Sequence, residues 1–67
     1  MHNTPKERAE EELNELRLKL LGLQRFIIGK IFPTFGTRKQ NMLTKQELIM
    51  REYVEVLQER LDNWDLK

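Results

Sequence analysis

The chain has no cysteine among its 67 residues. No disulfide and no thiolate–metal cluster can staple it together. Its one histidine, His2, leaves no partner for a histidine-based triad, dyad or zinc site. Glycine is confined to Gly22, Gly29 and Gly36, seven residues apart and without the spacing or preceding strand of a phosphate-binding fingerprint. No apolar run exceeds three residues, against about 20 needed to cross a bilayer. Met1 is followed by polar and acidic residues rather than a basic segment and an apolar core, so no secretory leader is expected. Acid is also missing over a long stretch. Between Leu16 and Gln46 there is no Asp or Glu, yet there are seven basic residues: Arg17, Lys19, Arg25, Lys30, Arg38, Lys39 and Lys45.

What is present complements that gap. The first fifteen residues set two basic side chains against five acidic ones, and the stretch from Glu47 onward sets three against six. A net charge of +1 therefore conceals a positive middle between two negative ends. If the middle is the bend of a hairpin, one end of the molecule is positive and suits a small or local anionic partner.

The local patterns are helical. Thr4, Pro5 and Glu7 make a helix start: a threonine N-cap, a proline at the first helical position and a glutamate to complete a capping box. Ala9, Leu13, Leu16, Leu20, Leu23 and Ile27 recur at spacings of four and three, one continuous apolar stripe. Leu18, Leu21, Phe26, Ile28 and Ile31 widen it. Gly22 weakens the pattern locally, by about 1 kcal/mol relative to alanine, or permits close helix contact. Pro33 pushes Phe32 out of the helical region, so residues 32–36 read as a loop whose two phenylalanines pack over the helix ends or meet a ligand or another chain. Thr37 with Gln40, or Thr44 with Glu47, offers a second capping box. Met42, Leu43, Met50, Tyr53, Val54, Leu57, Leu61 and Trp64 then continue at helical spacing.

The expectation is an all-α fold and a single helical domain over residues 1–67: a helix over about 5–29, a loop over about 30–37 and a helix over about 38–63. Two long helices with a short link pack antiparallel. A chain this short is marginally stable alone, burying only about 60% of its unfolded surface. Its apolar positions also exceed what one seam covers, and soluble monomers rarely leave such patches exposed. An oligomer of hairpins is expected.

Chemistry is sparse. Glu10, Glu11, Glu12 and Glu15 read as favourable charge near a helix start and as a solvated face; a di-metal bundle site would need inward carboxylates with Glu-x-x-His. No cofactor is expected, and no catalysis. The basic middle remains. Arginine can grip phosphate bidentately and lysine acts as a mobile point charge, exposed amides at the second helix start would add donors, and Phe32, Phe35 and Tyr53 could stack on a base. On pattern alone four readings stay open: plain solvated charge, a small anionic ligand, nucleic acid, or a protein partner. The nucleic-acid alternative, a small binding or regulatory helical bundle, lacks a recognition-helix motif, and its acidic ends oppose tracking along a duplex.

Two motifs carry a resemblance. Glu7-Arg8-Ala9, Glu12-Leu13, Leu16, Leu20 and Leu23 lead to Phe26-Ile27. In the second half, Gln46, Met50, Tyr53 and Leu57 lead to Arg60-Leu61. Across about residues 7–61 the chain resembles the small phage anti-CBASS sponge family, which antagonises a bacterial defence that signals infection with cyclic oligonucleotides. The resemblance implies a non-catalytic protein that sequesters these messengers in the host cytoplasm. It implies compact helical homohexamers holding cyclic dinucleotides between subunits, with cyclic trinucleotides taken by some members. No membrane partner is expected, because the acidic flanks would be repelled by an anionic leaflet. Family pockets use an aromatic residue for bases and lysine and threonine for phosphate and polar contacts. The connection from Ile28 to Thr37 departs from the family pattern, so the candidates rest on chemistry rather than matched position: Arg25, Lys30, Thr34, Thr37 and Arg38 for phosphate and polar contacts, and Tyr53 for a base.

Overall fold

The structure is a computed structural model and describes residues 4–65; His2 lies outside them. Helix α1 (Pro5–Ile27) leads through a 3-10 turn (Phe32–Thr34) into helix α2 (Thr37–Asp62). No strand is present among the described residues, and no helix is long and apolar enough to cross a membrane.

α1 starts where its chemistry dictates. Thr4 has extended backbone as N-cap, and its hydroxyl accepts from the Glu7 amide at 3.2 Å. The same hydroxyl donates to a Glu7 carboxylate oxygen at 2.9 Å, a variant of the capping box in which the glutamate binds the capping side chain. The helix stops at Ile27 because the final turn tightens. The Gly29 amide reaches back three residues to the Phe26 carbonyl at 3.1 Å, the 3-10 closure common at helix ends. A Cβ on Gly29 would lie 3.3 Å from the carbonyl oxygens of both Arg25 and Phe26, so glycine suits this tight exit.

Two local expectations are corrected. Phe32 stays in a helical turn: Phe32, Pro33 and Thr34 form the 3-10 turn, with Ile31 helical before it. A proline in the first turn gives up only an amide that had no intrahelical partner. The second capping box does not form either. α2 is capped by Gly36, one residue before Thr37, with no side-chain capping bond. Gln40 instead turns its amide onto the link, donating to the carbonyls of Phe35 at 2.8 Å and Pro33 at 3.3 Å. The alternative pair is also otherwise engaged, because Thr44 donates to the Asn41 carbonyl at 3.0 Å.

The helices run antiparallel: Gln24, late in α1, meets Glu47 in the first half of α2, whereas the earlier Glu12 and Arg17 meet the later Tyr53 and Gln58. The molecule is a flat rod of 47 × 26 × 14 Å. Ala9, Leu13, Leu20 and Leu57 form its buried core, with Leu57 fully enclosed. Leu16, Leu23, Ile27, Leu43, Met50, Val54 and Leu61 are half-buried along the same seam. Leu18, Leu21, Ile28, Ile31, Met42, Leu48, Ile49, Tyr53 and Val56 remain exposed. Gly22 has open space around it and allows no close helix contact within the chain.

Candidate ligand site at the bend

The hairpin gathers the acid-free stretch at one end. Arg25 lies on the last turn of α1, Lys30 in the link, Thr34 on the 3-10 turn, and Thr37 and Arg38 at the start of α2. All five are exposed. Among the described residues, none of these cations has a carboxylate within ion-pair distance. The positive end is thus both unneutralised and accessible.

The bend is held in shape by aromatic and amide contacts. Phe35 packs on Phe26 with ring centroids 5.6 Å apart, within the range of favourable aromatic pairs. The Lys39 ammonium sits 4.2 Å from the Phe35 ring centroid, a cation–π contact. The two hydrogen bonds from Gln40 tie the link to the first turn of α2. Phe32 and Phe35 are both half-buried. Lys39 and Gln40 are the bend residues that sequence reasoning did not select. Lys39 follows Phe35 by four residues, which was the available signal; Gln40 read as a capping-box partner.

The individual candidates differ in what they can do. Arg25 and Arg38 can present guanidinium groups, and Lys30 a point charge. Because Gly36 has no side chain, the first amides of α2 receive no side-chain capping bond and remain suited to an anion. Thr34 already donates its hydroxyl proton to the Ile31 carbonyl at 2.5 Å. It keeps only acceptor capacity, the wrong polarity for a phosphate oxygen.

Tyr53 is not at the bend. Sixteen residues separate it from Thr37, about 24 Å along an α-helix. Its hydroxyl donates to Glu12 at 2.5 Å in the acidic half of the rod. That carboxylate holds the Tyr53 phenol above the usual tyrosine range, first by accepting its hydrogen bond, with desolvation and like charge adding to the effect. Within one chain, therefore, the phosphate candidates and the base-stacking candidate are far apart. A single chain forms no pocket among its described residues.

Comparison with known proteins assigns the chain to a family. Residues 3–63 match the Sequestin family, and the chain belongs to it. A curated relative is 33% identical over 54 residues, which cover 81% of this chain and 84% of that protein: an uncharacterized 7.5 kDa protein in the denB–rIIB intergenic region of Enterobacteria phage T4. No solved structure matches. Membership of this phage anti-CBASS sponge family makes the chain a non-catalytic protein that binds and sequesters cyclic nucleotides.

Proposed function

We propose that the protein sequesters cyclic di- or trinucleotide messengers between the subunits of a homohexamer, in the cytoplasm of a bacterium under phage attack, and so blunts CBASS signalling. The observation that carries this reading is the convergence of Arg25, Lys30, Thr37 and Arg38 on one exposed, unneutralised end of the rod. These residues supply the charge-assisted bonds that phosphates need. Because they are exposed, one chain offers a surface rather than an enclosure. A second subunit supplies the opposite wall. A two-fold-symmetric cyclic dinucleotide is then gripped in both halves by the same residues of two chains, and preformed subunits keep the ordering cost of binding low.

The test mixes the protein with a panel of cyclic dinucleotides and trinucleotides, removes free ligand, denatures the complex and identifies what is released. Sequestration returns the bound nucleotide chemically unchanged. Release of a linearised product, or no binding across the panel, defeats the reading. A parallel titration with duplex and single-stranded nucleic acid covers the alternative. Binding that weakens steeply with salt and is indifferent to phosphate cyclisation would favour a nucleic-acid-binding bundle.

A further inference from the structure

α2 carries a second pattern that the hairpin seam does not use. Met42, Ile49 and Val56 are seven residues apart and therefore share one side of the helix. They are exposed by 64%, 54% and 50%, with the Tyr53 ring beside them. A parallel column of charge runs along this stripe, also at intervals of seven: Arg38, Lys45, Glu52 and Glu59. It reads two positive, then two negative. All four are exposed, and among the described residues none is in an ion pair. An apolar stripe edged by ordered charge is how packed helices select partner and direction.

From this juxtaposition we infer that α2 pairs antiparallel with α2 of a second copy, about a two-fold axis at Ile49. The inference rests on the self-association in the reading above and specifies which face is used and in which sense. In that register Ile49 meets its own counterpart, and Met42 meets the partner's Val56. Lys45 falls within one residue of the partner's Glu52 and Arg38 within one residue of the partner's Glu59, which leaves Arg25 and Lys30 as the uncommitted cations of the bend. A parallel pairing would instead set Lys45 against Lys45 and Glu52 against Glu52, which is repulsive. Tyr53 comes level with the partner's Lys45 along the axis, on the opposite edge of the apolar stripe from the charge column.

The chain lacks native cysteine, so single-cysteine cross-linking reads the arrangement directly. Met42→Cys, Ile49→Cys and Val56→Cys are made at exposed positions, checked for helicity, and treated without nucleotide with a short bis-maleimide. Ile49→Cys is expected to give a cross-linked dimer. Met42→Cys alone and Val56→Cys alone are not, because like positions lie about 21 Å apart along the axis. The two refolded together are expected to cross-link to each other. Self-linkage at all three positions would overturn the antiparallel sense. An oligomer by native mass spectrometry with no linkage at Ile49 would overturn this face while leaving self-association standing. A monomer would overturn both, and nucleotide binding is read separately. As a second arm, Lys45→Glu should weaken association several-fold, and Lys45→Glu with Glu52→Lys should restore it; no effect from either would contradict the charge column.

Discussion

The Tyr53 hydroxyl and the Glu12 carboxylate meet across the hairpin at 2.5 Å, joining residues 41 positions apart in the chain. This contact fixes one flank of the seam. Arg17 with Gln58 and Gln24 with Glu47 fix the other, since positions five apart in a helix lie on opposite sides of a seam between them. The exposed apolar residues divide in the same way. Met42, Ile49 and Val56 follow the Tyr53 flank, whereas Leu21 and Ile28 follow Arg17 and Gln24 by four residues. Each hairpin thus offers two different apolar flanks to other copies.

The Tyr53 pair has a pH signature. Ionising the phenol would place a phenolate against a carboxylate, so the folded chain favours the protonated ring. Because the folded value is raised, the contribution to stability is complete below the ordinary tyrosine value of about 10 and is lost as pH rises through the folded value. Tyr53 is the chain's one tyrosine, so ultraviolet titration reports it alone. Its midpoint should lie above that of free tyrosine and should fall in Glu12→Gln.

Glu47 behaves in the opposite sense. Gln24 donates to it at 2.9 Å and Arg51 at 3.2 Å, and these hold its carboxyl below the usual glutamate range, the Gln24 bond most strongly. The stabilisation is present above the unfolded value and is lost as pH falls through the folded one. Glu47→Gln should therefore be less stable than the parent at neutral pH, with the gap closing in acid, as measured by urea unfolding at both pH values.

Leu57 is the fully enclosed side chain of a four-residue core. Leu57→Ala should cost about 2–5 kcal/mol, read from the denaturation midpoint. Leu18→Ala, on an exposed position, should change hairpin stability far less. Equal effects at the two sites would mean that the seam is misassigned.

At the bend, Lys30→Ala should weaken cyclic dinucleotide binding by about 10–100-fold, the loss of one charge-assisted contact, with helicity and assembly unchanged. Thr34→Ala should cost little, since its proton is already given to Ile31. Calorimetric titration of the two variants against wild type separates them. Equal affinities for wild type and Lys30→Ala would move the site away from the bend.

The helices were legible because Ala9, Leu13, Leu16 and Leu20 in the first, and Met50, Val54, Leu57 and Leu61 in the second, recur at the helical period and because Thr4, Pro5 and Glu7 announce a start. The four-three spacing needs no knowledge of the partner helix. The link was less legible because its structure is set by contacts rather than by residue type. Pro33 fits a 3-10 turn as well as an extended segment, and Gln40 could cap a helix or brace a loop; only the closeness of the Pro33 and Phe35 carbonyls decides. The clustering of Arg25, Lys30, Thr34, Thr37 and Arg38 followed from the bend lying among them. Tyr53 was grouped with them on chemistry, and a helical rise of about 1.5 Å per residue is what sets it apart within the chain.

Native mass spectrometry of the protein with and without a panel of cyclic dinucleotides and trinucleotides addresses assembly and ligand together. A hexamer that gains a fixed whole number of intact cyclic nucleotides per assembly is the predicted result; a monomer, or an assembly that takes up none of the panel, would contradict sequestration between subunits.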